Sequence, residues 1–294
     1  MKNVMITGIA GGFGKPTALA LLERGYQVAG SVRRKGGKNA AAIAELEAAG
    51  AKIVEMDVTD TASTERGVAD AIAQLGGLDI LFNNAGVGAC GVQELFSSEE
   101  MARVFDVNVL GVQRVMRAAL PHMRAQGRGT VLYTSSLIGR ITTPFYGTYS
   151  ASKWALEAIA ESYRTELSAY GIETCIIEPG AMPTAFFDGL IEPSAAEPGD
   201  AARAAQYGEL AKLPAMSNAN LAQTLEANPE QRPERIAEAV VALLDAPFGE
   251  KPFRTIIDHT GLGPQIERYN TVLHDVTRTA LTNFGIEHML ELNA

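Results

Sequence analysis

Residues 3–25 read "NVMITGIAGGFGKPTALALLERG". An apolar run of strand length meets a cluster of glycines, and a helical pattern rich in Ala and Leu begins directly behind it. Gly8, Gly12 and Gly14 let the backbone turn tightly and come close to a ligand. The helix expected over 14–25 offers its free N–H groups to a pyrophosphate. A glycine-rich turn alone is weak, but this one follows the first strand and opens the first helix, the context that a dinucleotide loop requires. Pro16 lies early in that helix, where a missing N–H costs little.

The same alternation continues along the chain. "QVAGSV", "KIVEM", "DILFN", "GTVLYTS", "ETCIIEP" and "FRTIID" have strand character, and helical patterns cover 38–49, 61–75, 98–126, 149–170 and 233–245. Strands alternating with helices predict an α/β fold with a doubly wound, mostly parallel seven-stranded sheet and helices on both faces. One domain over 1–294 is expected, with two departures from the alternation. Between 181 and 232, Pro183, Pro193, Pro198, Pro214 and Pro229 are expected to interrupt any helix before it grows long. A segment of that size without regular structure fits a substrate lid. The extension from 264 to 294 carries two weak helical patterns and is expected to pack on the body or on a neighbouring subunit.

The 294 residues are 47% hydrophobic, enough for a large core, and carry a formal net charge of −9. That charge argues against nucleic acid or an anionic membrane as a partner. No apolar run is long enough for a membrane span and the N-terminus lacks the pattern of a signal peptide, so a cytoplasmic protein is expected. Cys90 and Cys175 fit a reducing compartment. His122, His259, His274 and His288 are scattered without metal-ligand spacing, so no metal site is expected.

Two stretches carry chemistry. In "YSASK", 149–153, Tyr149 and Lys153 stand four apart at the start of a long helix and share one face. A tyrosine with its ordinary pKa of about 10 is a poor base near neutrality, and lowering it to about 7 takes roughly 4 kcal/mol. One ammonium at about 4 Å supplies about that much at an effective dielectric near 20, and only about 1 kcal/mol in bulk water. Lys153 therefore serves Tyr149 only in a sheltered site. In "GSVRRKGGK", 30–38, Val32 stands where an acid would hold the ribose hydroxyls of NAD(H), and Arg33, Arg34, Lys35 and Lys38 follow. Arginine offers a planar fork to a 2′-phosphate, so NADP(H) is expected, with NAD(H) as the alternative.

These pieces together resemble the short-chain dehydrogenase/reductases in their single-domain form. Besides the glycine loop, the matches are "DV" at Asp57 and Val58, "NNAG" at 83–86, Asn108 within "DVNVLG", "TSS" ending at Ser136, "YSASK", and "PG" at 179–180 followed by Thr184. The resemblance covers about residues 1–184 and implies a Rossmann sheet, a nicotinamide cofactor, and oxidation or reduction of an alcohol or carbonyl. It implies Tyr149 as acid/base, Lys153 as its tuner, Ser136 as a donor to the substrate oxygen, and Asn108 as holder of a helix backbone and a proton-relaying water. It also implies a cofactor site made by Thr7, Gly8, Gly12, Phe13, Gly14, Arg33, Arg34, Asp57, Val58, Asn84, Ala85, Gly86, Tyr149, Lys153, Pro179, Gly180, Met182 and Thr184. Ile9, Ala10 and Gly11 replace small polar residues common in relatives and remove hydrogen bonds that brace the turn. Pairing of helices 98–126 and 149–170 with a neighbour's implies a homodimer or homotetramer.

The expected function is an NADP-dependent alcohol dehydrogenase or carbonyl reductase acting on a small-molecule alcohol or ketone. Phe186, Phe187, Leu190, Ile191, Leu210, Leu213 and Met216 would make the lid apolar and the substrate bulky and hydrophobic. A rival is a dinucleotide-sensing or scaffolding protein of the same fold, which would be free to lose the tyrosine or lysine retained here.

Overall fold

The computed structural model describes residues 2–194 and 199–292. Seven strands, β1 (Asn3–Ile6), β2 (Gln27–Val32), β3 (Lys52–Glu55), β4 (Ile80–Asn83), β5 (Gly129–Thr134), β6 (Ile172–Pro179) and β7 (Arg254–Ile257), form one sheet in the order β3-β2-β1-β4-β5-β6-β7. Every pairing is parallel, with Met5 opposite Ala29 on one side and Leu81 on the other. The central strands β1, β4 and β5 are largely apolar because both faces of a parallel sheet are covered; β5 and β6 are buried at every position.

The covering helices are α1 (Gly14–Glu23), α2 (Ala40–Ala48), α3 (Thr61–Leu75), α4 (Ser98–Phe105), α5 (Val112–Gln126), α6 (Gly147–Ser168) and α9 (Glu234–Asp245). On one face Leu21 of α1 and Ile236 and Val240 of α9 close over Val4, Ile6 and Phe82. On the other, Val68 and Ala71 of α3, Val115 and Met116 of α5 and Ala160 of α6 close over Met5, Leu81 and Tyr133. Local signals set the boundaries: Asp60 accepts from the Ser63 N–H at 2.6 Å to start α3, and Ser97 and Glu100 form a reciprocal capping box on α4. One π-helical turn, Asp106–Gly111, joins α4 to α5.

Beyond β6 the structure departs from expectation. The described residues of 181–232 form two helices, α7 (Asp200–Gln206) and α8 (Leu213–Glu226), with 3-10 turns at Phe187–Gly189 and Gly208–Lys212. Pro214 does not interrupt a helix; it occupies the first turn of α8, where its missing N–H would have no partner. The helix, 14 residues long in all, runs on from it to Glu226. The expected break at Pro198 lies outside the described residues. The tail forms α10 (Gly263–Asn283) and a 3-10 turn, Glu287–Leu290, and it packs on the body against β7 and α6; its last two residues lie outside the described ones.

Candidate active site

The order of β1 and β4 at the middle of the sheet opens a crevice beyond their carboxyl ends, where open α/β sheets bind ligands. The glycine loop leaves β1 there. Gly8 and Gly12 adopt positive φ (68° and 38°), and a Cβ on Gly14 would sit 2.5 Å from the Gly8 carbonyl oxygen. A Cβ on Gly11 or Gly12 would meet nothing within 4 Å, so the crest of the loop is open space. Ile9 braces the turn by packing instead of by hydrogen bonding: its side chain lies where Gly30 has no Cβ, while the Ile9 N–H donates to the Ser31 carbonyl at 3.0 Å.

Thr7 and Asn84 tie this loop to the end of β4. The Thr7 hydroxyl accepts from the N–H groups of Asn84 and Ala85, both at 2.9 Å, and the Asn84 amide donates to the Thr7 carbonyl at 3.0 Å. Thr134 at the end of β5 donates to Asn84 Oδ1 at 3.3 Å. Three strand ends are thus joined by side chains, two of them, Thr7 and Asn84, from the expected cofactor set and the third, Thr134, outside it. Farther along the crevice, Asp57 accepts from the N–H and hydroxyl of Thr59 at 3.0 and 2.8 Å. Burial alone would raise its pKa, but those bonds and the charges of Arg33 and Arg114 bring it below the ordinary aspartate value. Val32 ends β2 with its side chain buried, and Arg33 and Arg34 are exposed with no ion-pair partner among the described residues. Their donors are free for an anion.

Tyr149 and Lys153 rise from the first turns of α6, as their spacing predicts. Lys153 is 4% exposed; its Nζ donates to the Thr134 carbonyl at 2.7 Å and lies 5.7 Å from the centre of the Tyr149 ring. Ser136, two residues beyond β5, hydrogen-bonds to Tyr149, accepts from the Ile138 N–H at 3.3 Å and donates to the Pro179 carbonyl at 3.5 Å. Asn108 stands in the π turn, buried, with its amide donating to the Val87 carbonyl at 2.9 Å and to Ser152 Oγ at 3.0 Å. Its Oδ1 accepts from the Val87 N–H at 2.9 Å and is 3.3 Å from where a Gly86 Cβ would be, with Lys153 Nζ 3.7 Å from the same point. A π turn inside a helix is a local distortion found often at functional sites.

Burial acts on both members of the pair. It pushes the Tyr149 phenol above its ordinary value, a shift that the Ser136 hydrogen bond opposes and does not overcome. It lowers Lys153 to about 8, with the charge of Glu157 opposing. Shelter strengthens the Coulomb attraction, but it first penalises both charged forms.

Not every expected site residue offers a side chain to the crevice. Met182 is in the core with Ile177 and Ile257, Phe13 packs against the same core, and Val58 packs on Gly111. Tyr146 and Asn218 were not anticipated: the Tyr146 hydroxyl donates to Asn218 Oδ1, and Cys90 Sγ lies 3.8 Å from the same oxygen. Tyr146 stands one turn before Tyr149, a spacing that could have pointed to it. Gln231 was also missed; its amide donates to the Ala181 carbonyl at 2.6 Å and its Oε1 accepts from the His259 N–H at 2.7 Å, pinning the start of the 181–232 segment.

Around Tyr149 the walls are apolar: Ala89, Cys90, Phe96, Val104 and Tyr146 are buried there, with Phe186, Leu190 and Ile191 packed against them. Phe186 meets the Tyr149 ring at 5.5 Å between centroids, and Ala89 pairs with Ile191 in an isolated parallel bridge. Leu210, Leu213 and Met216 face outward instead, with Met216 57% exposed.

A glycine loop at the first strand end, a tyrosine and lysine one helical turn apart, and a serine at the fifth strand end thus stand together at the carboxyl edge of a Rossmann-class sheet. The short chain dehydrogenase family matches residues 2–194, and the chain belongs to that family. It is 36% identical over 185 residues to a 3-ketodihydrosphingosine reductase of Bacteroides thetaiotaomicron, a match covering 63% of this chain and 65% of that protein, just under two thirds of its length. It is 32% identical over 252 residues to retinol dehydrogenase 8 of Bos taurus, covering 83% and 78%. A short chain dehydrogenase/reductase from Burkholderia phymatum, solved in complex with NAD, superposes with a TM-score of 0.76 at 25% identity, covering 93% of this chain and 95% of that one. No helix among the described residues is long and apolar enough to cross a membrane.

Proposed function

We propose that this protein is an NADP-dependent alcohol dehydrogenase or carbonyl reductase that interconverts a bulky hydrophobic secondary alcohol and its ketone, or an aldehyde. The observation that carries the reading is Tyr149 beside Ser136 and Lys153 at the carboxyl edge of the sheet, beneath an apolar wall. The open crest of the glycine loop fits a pyrophosphate, and the unpaired Arg33 and Arg34 beyond a buried Val32 fit a 2′-phosphate better than a free ribose. Thr7, Gly8, Gly12, Phe13 and Gly14 would hold the phosphates, Asp57 and Val58 the adenosine half, and Asn84, Ala85, Gly86, Pro179, Gly180, Met182 and Thr184 the nicotinamide half. The names of two relatives, a 3-ketodihydrosphingosine reductase and a retinol dehydrogenase, point to the same size and polarity of substrate.

A bound nicotinamide supplies the hydride in reduction and takes it back in oxidation. In reduction Tyr149 gives its proton to the carbonyl oxygen as that oxygen gains charge, and the Ser136 hydroxyl donates to the same oxygen. Burial keeps the phenol protonated near neutral pH, the form that reduction requires. Lys153 holds positive charge one turn away and favours the phenolate that Tyr149 becomes when it gives up its proton; that phenolate oxygen would take a proton back from solvent through a water held at Asn108 in the π turn. The enzyme would work as a homodimer or homotetramer, with the half-exposed Leu110 and Trp154 on the pairing surface of the α5 and α6 region.

A panel of hydrophobic ketones, aldehydes and alcohols assayed by nicotinamide absorbance with each dinucleotide tests the reading. NADPH consumption with at least one apolar carbonyl is expected, with NADPH at least about tenfold more efficient than NADH. Dinucleotide binding without turnover of any substrate would support the sensing protein instead.

A further inference from the structure

Tyr149 and Lys153 are two members of a three-residue column. Glu157 follows Lys153 by four positions, so the three stand one above another on a single face of α6. Glu157 is 2% exposed, a burial that charged residues tolerate only with partners. Its Oε2 accepts from Arg254 Nε at 3.1 Å and from Arg140 Nη1 at 3.4 Å. Its Oε1 is equally buried and has no hydrogen-bond partner among the described residues.

The groups facing this carboxylate come from five elements. Arg140 follows the 3-10 turn Leu137–Gly139, Glu178 lies in β6, Arg254 in β7, Asn270 in α10, and Glu161 one turn further along α6. Arg254 also pairs with Glu161 and, at 3.3 Å, with Glu178, while Asn270 accepts from Arg140 Nε at 3.1 Å and donates to Glu178 Oε2 at 2.6 Å. The guanidinium groups thus hold one oxygen of Glu157 and have two other carboxylates to pair with. Lys153, in turn, is faced by Tyr149 and Glu157 from its own helix, by the Thr134 carbonyl of β5, and by Asn108 across Gly86. Gly139 seals the gap between lysine and glutamate: a Cβ there would lie 3.3 Å from Lys153 Cβ and 3.5 Å from Glu157 Cγ. Water is excluded from that side. Burial weakens the hold of Lys153 on its proton, lowering its pKa to about 8, and the charge of Glu157 opposes that shift.

We propose that Glu157, anchored by Arg140 and Arg254 and packed against Lys153 across Gly139, is a positioning residue that keeps Lys153 charged beside Tyr149. The proposal rests on the acid/base reading of Tyr149 given above. The arginine cluster, and through Asn270 the tail helix α10, then bears on the chemistry as well as on the fold.

The test is the pH profile of kcat/KM for alcohol oxidation, which depends on the Tyr149 phenolate, in the full-length protein and in Glu157→Gln. Loss of the carboxylate lowers the charge on Lys153 near neutrality, so the phenolate forms less readily. The profile should move up by about one pH unit, with roughly a tenfold loss of rate at neutral pH. Glu161→Gln removes a carboxylate from the same arginine and should leave the profile in place. If Glu157→Gln does not fold, Glu157→Asp, with its charge withdrawn by one methylene, should show a smaller shift in the same direction. A foldable Glu157 variant that melts earlier yet keeps the parent profile overturns the proposal and leaves the oxidoreductase reading standing. A parent protein with no pH-dependent oxidation overturns both.

Discussion

The hydroxyl of Tyr146 donates a hydrogen bond to Oδ1 of Asn218, joining the residue before α6 to the middle of α8. The Ala89–Ile191 bridge makes a second attachment, with the Cys90 N–H donating to the Ile191 carbonyl at 3.0 Å. Both attachments land on the apolar wall around Tyr149. These attachments, with those of Tyr207 to Glu94 and of the Ser194 N–H to Glu100, tie the described part of 181–232 to the body beside Tyr149, and as the proposed lid it would have to be passed or displaced by a substrate.

Asn218→Ala removes one fastening. A hydrogen bond of this kind contributes about 1 kcal/mol, so α8 should open about fivefold more often. Limited proteolysis should cut the variant within α7 or α8 correspondingly faster than the parent, and dinucleotide and ketone together should slow cleavage in both. Equal cleavage of parent and variant in every state would show that the segment is ordinary packed structure and not a lid.

Arg33→Ala and Arg34→Ala address the cofactor. Charge-assisted hydrogen bonds to a phosphate contribute roughly 1.5–3 kcal/mol, so each change should weaken NADPH binding by about tenfold or more. NADH binding, which has no 2′-phosphate to lose, should stay within about twofold. Calorimetric Kd values for both dinucleotides check this; a parallel loss for NADH would assign the arginines to something other than the phosphate.

Glu178 links pH to stability. Burial, reinforced by the charge of Glu157, pushes its carboxyl up from 4.5 to about 8. The folded chain thus keeps a proton that the unfolded chain releases, and the stability tied to it is full at low pH and lost as pH rises toward 8. Glu178→Gln cannot ionise and should escape that loss. Denaturant titrations should find parent and variant similar near about pH 5, with the variant more stable by roughly 1 kcal/mol or more near about pH 8. A gap that stays constant or closes with rising pH contradicts the assignment.

The sheet was readable in the sequence because parallel strands buried on both faces appear as short runs rich in apolar and β-branched residues, such as "GTVLYTS" before Ser136 and "ETCIIEP" before Gly180. The glycine loop and the Tyr149–Lys153 pair were readable because each lies within a few residues on one element. Pro214 misled, since a proline ends a helix from inside but starts one from its first turn. The arginine cluster had no local signature: Arg140 and Asn270 are 130 positions apart, and in sequence each looks like a solvated side chain. The attraction of Lys153 for the Tyr149 phenolate was foreseen, but the cost of burying both depends on packing that no spacing reveals.

The central claim is that Tyr149 is the proton donor of a nicotinamide-dependent carbonyl reduction. The most direct measurement compares Tyr149→Phe with the parent protein in turnover of an apolar ketone and in NADPH binding. The phenylalanine ring keeps the contact with Phe186 and removes only the hydroxyl. General acid catalysis contributes about 100-fold to 10,000-fold, so the rate should fall by at least about 100-fold while the NADPH Kd stays within about threefold. A Tyr149→Phe protein that retains more than a few per cent of the parent rate, with NADPH still bound, would contradict the claim.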